Sequence, residues 1–364
     1  MAKYLVKIIA MVNSIAKKPL IGLIFVLVLI FVSIPFQKRI DNIRGKFRSI
    51  EETLYLSSST LKKISLGYKE LVADIYWLRA LQYFGGKKHE NQSPDLLYKY
   101  FDILTDLDPK FVNAYRFGGT FLAEPRPYGL GDIEKGTQIF DKGRENNPDN
   151  FRIPLEEAFI YYLYAKDYEK AAELFDEASE KPGLSGFRRA SIKGMAASAH
   201  NYGGNRELSK KIWREIYETT TNEGRRNFAL RNIEELNTMD MEDRLTQALR
   251  EYINRYNEEP KTLDALKDAG IIKQIPKESL GGEFIIASKL KAVKSSTILD
   301  QQLKHNLGFL SSRIQRFKKV YDRYPKDVAE LKDFIDQDTV RQFPRHPLGE
   351  EYAYNPETGV IGSR

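Results

Sequence analysis

The chain has 364 residues, of which 42% are hydrophobic and 12% aromatic, and its net charge at neutral pH is +7. This length suggests two or three domains, and the apolar content is sufficient for a sizeable core. Cysteine is absent, which excludes disulfides, thiolate metal sites and cysteine nucleophiles. A chain without thiols is also typical of an oxidising compartment.

The positive charge is concentrated at the N-terminus. Residues 1–60 contain nine basic and three acidic groups, whereas the rest of the chain contains 48 basic and 47 acidic groups. Because this basic excess flanks one apolar segment, it indicates contact with lipid head groups. A nucleic-acid-binding protein would carry a basic surface on its folded domain. We therefore predict no nucleic-acid partner.

An apolar segment follows the short basic tail of residues 1–18. The segment from Pro19 to Phe36 contains no charged residue. As a helix it would be about 27 Å long, close to the roughly 30 Å hydrocarbon core of a bilayer. A cleaved signal peptide is the alternative, but the apolar run is longer than usual and no small-residue cleavage site follows it. We predict a single uncleaved transmembrane helix over residues 19–36.

The basic residues do not decide the orientation of this helix, because four precede it and five follow it closely. A short N-terminal tail with a large C-terminal body favours a body outside the cytoplasm. We predict a bacterial inner-membrane protein that crosses the bilayer once. Its C-terminal body is expected in the periplasm.

A juxtamembrane connector is predicted over residues 37–60. It ends in the serine- and threonine-rich group 57–60, which is typical of a helix N-cap. The helix predicted next, over residues 61–84, is apolar on every face, so we expect it to be buried on all sides as the innermost helix of a hairpin. The alternative is a docking helix for a partner. Its candidate contact residues are Asp74, Trp77 and Arg79.

The region between residues 94 and 220 repeats with a period in the mid-thirties. Large apolar residues recur on the second helix of each unit, and a proline follows the first three of them after seven or eight residues. The recurring residues are Phe101, Phe140, Phe175 and Ile212, and the prolines are Pro109, Pro148 and Pro182. Such a period is typical of helical hairpins that stack into a solenoid, because one hairpin cannot bury its own apolar face. The predicted helices are 94–107, 110–123, 132–146, 151–165, 168–180, 185–202 and 205–220.

The hairpin from Leu155 to Pro182 shows this pattern most clearly. Its apolar residues stand at helical spacing, and they are Leu155, Ala158, Phe159 and Tyr162 on the first helix and Ala171, Phe175 and Ala178 on the second. Small residues, an aromatic residue and a terminal proline at such offsets resemble the tetratricopeptide repeat (TPR). The resemblance implies a TPR-like α-solenoid over residues 61–240.

The resemblance also implies a binding surface, because the first helix of each TPR hairpin lines a concave groove. Such a groove would bind an extended peptide or a helix of a protein partner. The implied groove residues are Glu156, Ile160, Leu163 and Tyr164 from one unit and Lys193, Ala197, His200 and Asn201 from the next. The alternative is that these side chains only pack neighbouring helices.

The pattern changes after two further helices predicted within residues 223–258. Two similar segments begin at Pro260 and Pro325, and each reaches a second proline that is followed four residues later by Leu-Gly. The second prolines are 68 residues apart, and so are the Leu-Gly pairs. We predict a tandem duplication of a helix, a loop and a small β-hairpin, giving two α+β modules over residues 241–300 and 301–364. The predicted strands are 284–287 and 293–295 in one module and 352–354 and 360–361 in the other.

The end of the second module, from His346 to Ser363, resembles the C-terminal β-segment of type II secretion pseudopilins. In both, a proline, a bulky residue and a glycine precede a Tyr-x-Tyr strand and a turn. The N-terminal apolar segment lacks a pilin processing site, so a pilin subunit is not implied. The resemblance suggests, as an alternative function, a component of a pilus, secretion or export machinery.

The sequence contains no constellation typical of an active site. The four histidines are too far apart for a paired ligand motif, and neither a Walker A motif nor a Gly-x-Ser-x-Gly motif is present. We predict that the chain is not an enzyme and has no cofactor, metal or small-molecule substrate; the alternative is an enzyme completed only by a partner subunit. The sequence as a whole predicts a mainly α-helical, membrane-anchored scaffold or assembly protein that binds a protein or peptide partner.

Overall fold

The structure, a computed structural model, describes residues 56–86, 92–337 and 342–363, together with position 35. The chain is mainly α-helical and contains two small antiparallel sheets. It divides into two compact units, Met1–Gly67 and Tyr68–Arg364. Nearly all of the predicted transmembrane segment lies outside the described residues. Among the helices that are described, none has both the length and the apolar character that a bilayer span requires.

The first unit contributes one described helix, α1 (Ser58–Ile64). Its predicted N-cap is confirmed, because the Ser57 hydroxyl accepts a hydrogen bond from the Thr60 N–H. The prediction of one continuous helix over residues 61–84 is wrong. Leu66 and Gly67 have φ angles of 50° and 94°, which end the helical path. A separate helix, α2 (Lys69–Gly85), follows.

The helical region of the second unit begins with α2, and each of its helices packs against the next one along the chain. The helices after α2 are α3 (Pro94–Leu107), α4 (Val112–Ala123), α5 (Ile133–Asn146), α6 (Arg152–Ile160), α7 (Tyr168–Glu180), α8 (Gly186–Tyr202), α9 (Arg206–Thr219) and α10 (Glu223–Tyr256). A π-helical turn, Tyr161–Ala165, extends α6. With that turn counted, all seven helices predicted between residues 94 and 220 are present, within two residues of their predicted ends.

The recurring large residues form the core of this region. Phe101 and Phe140 are completely buried on α3 and α5, and Phe175 and Ile212 are buried on α7 and α9. Burial of these side chains is the main favourable contribution to packing, at roughly 2 kcal/mol for each of them. The periodic positions therefore lie where the repeat pattern predicts, on the second helix of each pair.

Glycines allow the helices to approach closely. Gly118 of α4 lies against the ring of Phe101, and Gly119 lies against the ring of Phe140. A Cβ atom at Gly118 would be only 2.6 Å from Cγ of Phe101. Gly194 of α8 has the same relation to Trp213 of α9, where a Cβ atom would be 3.0 Å from the indole ring. The aromatic rings of the second helices thus occupy the space that side chains of the first helices would otherwise fill.

The predicted pair of helices within residues 223–258 is wrong, because α10 is a single helix of 34 residues. It continues without a break across the predicted boundary at residue 240. No helix-breaking residue interrupts the stretch, and Asn257, with φ of 51°, ends it in a left-handed conformation. The elements that follow are α11 (Asp264–Asp268), β1 (Phe284–Ala287), β2 (Ala292–Ser295), α12 (Ser296–Tyr321), α13 (Val328–Asp336), β3 (Tyr352–Asn355) and β4 (Val360–Ser363).

The two β-hairpins repeat each other in position and in register. β1 pairs antiparallel with β2, with Phe284 opposite Ser295, and β3 pairs antiparallel with β4, with Tyr352 opposite Ser363. Corresponding strands therefore begin and end 68 residues apart, which is the offset of the sequence pattern. Each hairpin packs on its preceding long helix through equivalent cores, which contain Leu249 and Phe284 in one module and Ile314 and Tyr352 in the other.

A buried polar side chain contacts the end of each hairpin at equivalent positions. The Glu278 carboxylate accepts hydrogen bonds from the Ser295 hydroxyl at 2.8 Å and the Thr297 hydroxyl at 3.0 Å. His346, 68 residues after Glu278, forms a 3.0 Å hydrogen bond through Nε2 with the Ser363 hydroxyl. Because both side chains are buried, each of these bonds satisfies a polar group that would be costly to leave unpaired.

We expect Gly118→Ala to lower the free energy of unfolding by about 1–3 kcal/mol, because the added methyl group overpacks the site beside Phe101. The matched control is Gly308→Ala, at an exposed position inside α12 where a Cβ atom has no neighbour within 4 Å. This second variant should raise the free energy of unfolding by about 0.5–1 kcal/mol. Chemical denaturation measures both, and equal effects of the two variants would contradict the packing argument.

Candidate protein-binding groove

An apolar groove of about 560 Å³ lies between α6, α8 and the beginning of α10, above the buried faces of α7 and α9. We call it the apolar groove. Most of its lining is aromatic or aliphatic, and the large side chains are Phe159, Tyr162, Phe175, Met195, Trp213, Ile216 and Phe228. A concave surface of this size and composition is typical of sites that bind apolar side chains of a ligand.

The floor and the rim of the apolar groove differ in exposure. Phe175 and Trp213 form a buried floor, where Gly194 gives the indole ring its space. At the rim, Met195 is 37% exposed and Phe228 is 57% exposed. The Phe228 ring stands edge-on to the ring of Trp213, at 5.6 Å between centroids. Large apolar side chains thus lie in contact with water around an apolar floor, an arrangement that marks interaction surfaces.

Arg225 brings a positive charge to the wall of the apolar groove. Its guanidinium lies 3.9 Å from the centroid of the Phe187 ring and donates a 3.0 Å hydrogen bond to the Phe187 carbonyl. It also donates to the Ser191 hydroxyl at 3.4 Å. Across the described ranges, no carboxylate forms an ion pair with Arg225. The side chain is therefore held in place while its charge is free to attract an acidic group.

A smaller recess of about 300 Å³ lies between α4 and α6, and Phe159 lines both this recess and the apolar groove. Its polar residues are already paired with each other. Arg116 Nε donates to Glu156 Oε1 at 2.8 Å, and the Tyr164 hydroxyl donates to Glu124 Oε1 at 3.2 Å. Burial, followed by the charge of Glu124, raises the pKa of Tyr164 to about 12. The recess therefore extends the apolar groove, but its polar groups have fewer hydrogen bonds to offer a ligand because they are already bonded to each other.

The structure does not bring the eight predicted groove residues together. Those from the first unit line the small recess, and they are Glu156, Ile160, Leu163 and Tyr164. Among those from the next unit, Ala197 is completely buried, so its assignment to a binding surface is wrong. Lys193 pairs with Glu215, and His200 Nε2 lies 2.9 Å from the Asp176 carboxylate. Asn201 does not line the apolar groove.

The orientation of α8 explains this difference. Ile192, Ala196 and Ala199 are buried against α7, which turns the opposite face of α8 toward the apolar groove. The groove-lining residues on that face are Ala190, Ser191, Gly194, Met195 and Ser198. Sequence reasoning missed Met195 because small residues occupy every face of α8 and leave its orientation undefined. It missed Arg225 and Phe228 because they lie on α10, beyond the two hairpins from which the predicted groove residues were taken. Gly194, which lies opposite Trp213, is the feature of the sequence from which the orientation of α8 could have been predicted.

The predicted docking helix α2 is not buried on all sides. Its Ala73, Tyr76 and Ala80 are buried, whereas Leu71, Ile75 and Leu78 are exposed. The ring of Trp77 packs within the helical region, 5.2 Å from Phe111 and 5.7 Å from Phe117 between centroids. Of the three candidate contact residues, only Asp74 and Arg79 are therefore exposed. The apolar residues of α2 thus lie both on a packed face and on a face that is open to solvent.

Glu157 of α6 is a buried carboxyl that lies outside the groove. Its side chain is only 1% exposed, and its Oε2 lies 2.9 Å from Nε of Arg144. Arg144 also contacts Glu177 at 2.9 Å, so Glu157 shares its positive charge with other carboxylates. Burial raises the pKa of Glu157 to about 8, although the charge of Arg144 opposes this shift. The arrangement joins α5, α6 and α7.

No known protein family, curated protein or solved structure matches the chain. The resemblances to TPR proteins and to pseudopilins therefore stay predictions from sequence. Within the described residues, histidine and carboxylate side chains do not form a cluster that could hold a metal ion.

We expect the free energy of unfolding to fall between pH 5 and pH 8 through Glu157. In this range the folded protein holds a proton on Glu157, whereas the unfolded chain, with a carboxyl pKa near 4.5, has lost it. The contribution is up to about 1.4 kcal/mol per pH unit. Glu157→Gln removes this contribution, so the variant should lose stability less steeply over the same range. Urea denaturation at several pH values measures the slope, and an unchanged slope would contradict the assignment.

Proposed function

We propose that the chain is a membrane-anchored scaffold or assembly protein that binds a protein or peptide partner in the apolar groove. The observation that carries this proposal is the exposure of Met195 and Phe228 around a floor of buried aromatic rings. A partner that covers these side chains removes apolar surface from water and so gains free energy on binding. The groove lacks the convergent titratable groups that an enzyme site would need.

We further propose that the helical region is an α-solenoid of the TPR type. Three features support this: consecutive helices pack on each other, large side chains recur in the core of the second helices, and the apolar groove is bordered by α6, α8 and α10. α6 and α8 are the first helices of successive pairs, and α10 follows the second of these pairs. In TPR arrays the first helices line the concave surface. Such arrays bind partners over this surface, which is consistent with a scaffold function.

The chemistry of the apolar groove favours one kind of partner segment. A volume of about 560 Å³ with apolar walls accommodates several large apolar side chains of a helix or an extended segment. The unpaired charge of Arg225 favours an acidic residue next to those side chains. We therefore propose an apolar segment flanked by Asp or Glu as the ligand.

The proposed location is the periplasmic side of the bacterial inner membrane. The uncharged segment 19–36 and the basic residues on both of its sides support a membrane location. The lack of cysteine in the sequence supports the oxidising periplasm. Alkaline phosphatase fused after Arg364 should be active, because this enzyme needs the oxidising periplasm to form its disulfides. A fusion that is inactive, paired with a cytoplasmic reporter that is active at the same position, would contradict this location.

We expect Phe228→Glu and Met195→Glu to reduce partner capture at least tenfold, because each places a charge on a surface that binding buries. The matched control is Leu230→Glu, which changes a 37% exposed side chain on α10 that does not line the groove. Cross-linking in native membranes with quantitative mass spectrometry compares the partners of the three variants with those of the wild type. Unchanged partners in both groove variants, or equal losses in the control, would contradict the proposal.

A further inference from the structure

The hydrogen bonds of the first hairpin show which backbone groups of β1 are unpaired. The Ser296 N–H donates to the Glu283 carbonyl at 2.8 Å, just before the first strand pair. In an antiparallel ladder, hydrogen-bonded pairs alternate with pairs that are not bonded to each other. Ile285 and Lys294 therefore bond to each other, whereas Phe284 and Ile286 direct their N–H and C=O groups away from β2.

The opposite edge of the same hairpin is satisfied by α10. The outward N–H of Val293 donates to the Thr246 hydroxyl at 2.9 Å, and that of Ser295 donates to the Glu242 carboxylate at 2.7 Å. These two bonds confirm the alternation from the side of β2. On the side of β1, the N–H and C=O groups of Phe284 and Ile286 form no such bond with any residue in the described ranges. The hairpin thus has one covered edge and one open edge.

The open edge of β1 lies in a cleft of about 810 Å³. The cleft is bordered by the loop that contains Pro260 and Leu263 and by the loop that contains Ile275 and Pro276. Ile285 contributes an exposed apolar side chain on the strand itself. The unpaired backbone groups are therefore recessed between two walls rather than projecting from the surface.

The second module repeats this cleft. A recess of about 1350 Å³ lies along β3, where Tyr352 and Tyr354 occupy the positions of Phe284 and Ile286. Its walls contain Val328 and Pro344, which correspond to Leu263 and Pro276 of the first module. Considering only the residues that the structure describes, the same strand edge is thus open beside equivalent walls in both modules.

We propose that the open edges of β1 and β3 each bind an extended segment of a partner protein, which adds a third strand to the hairpin. Donors and acceptors that alternate along a strand are matched by another extended backbone, which supplies the complementary groups at the same spacing. A second copy of this chain is a poor fit, because its own edges are recessed between the same walls. A single extended segment enters the cleft without this conflict. It should lack proline at the paired positions, since proline has no N–H to donate.

The test uses linear peptides selected from a random displayed library on the full-length chain in detergent. A peptide bound at β1 should slow hydrogen exchange at the Phe284 and Ile286 amides, and a peptide bound at β3 should slow it at Tyr352 and Tyr354. Two versions of each peptide are N-methylated, one at the odd-numbered and one at the even-numbered residues. One version should bind at least tenfold more weakly and the other nearly unchanged, because only every second N–H of the peptide faces the strand edge.

Two variants of the chain complete this test. Ile286→Pro removes an outward N–H without removing a bond of the ladder, and it should weaken peptides bound at β1 at least tenfold. Ile286→Val keeps the N–H and should bind like the wild type. The proposal would be overturned by selected peptides that protect neither the β1 amides nor the β3 amides. It would also be overturned if N-methylation at odd-numbered and at even-numbered peptide residues both left binding unchanged. Protection that appears without peptide as the chain dimerises would overturn it in favour of self-pairing.

Discussion

The helical region depends on the contact between small residues of the first helices and aromatic rings of the second helices. Gly118 against Phe101, Gly119 against Phe140 and Gly194 against Trp213 are three instances of this contact along the chain. Each lets two helices approach more closely than ordinary side chains would permit. The rings fill the layer between the helices. Large residues of one helix thus occupy the space that the glycines of the other helix leave open.

This contact also shapes the apolar groove. The face of α8 that packs against α7 contains only small and aliphatic residues. The other face contains Met195, which lines the apolar groove. The indole of Trp213, admitted by Gly194, becomes the floor of the groove, and Phe228 stands on the rim above it. The packing that stabilises the helix pairs and the surface proposed for binding therefore share the same residues. The C-terminal modules are stabilised differently. In each of them a β-hairpin packs on one long helix and is held by a buried hydrogen bond.

The sequence predicted the helices between residues 94 and 220 well, because periodic apolar residues and prolines mark both their faces and their ends. It failed where these features gave no information. The apolar pattern continues through Leu66 and Gly67, so the break between α1 and α2 depends on backbone conformation and not on polarity. The groove-lining face of α8 was misplaced because Ala196, Ala197 and Ala199 are all buried and give no contrast between faces. The positions of the two β-hairpins were predictable because the same sequence pattern occurs twice, 68 residues apart, and each copy supports the interpretation of the other.

The most direct test of this account is site-specific photo-cross-linking in native membranes. A photoreactive amino acid at position 195 lies at the rim of the apolar groove, whereas the same amino acid at position 230 lies on α10 outside it. We expect a discrete protein adduct from position 195 and none from position 230. Adducts of equal yield from both positions, or adducts from position 230 alone, would contradict the claim that the apolar groove is the binding surface.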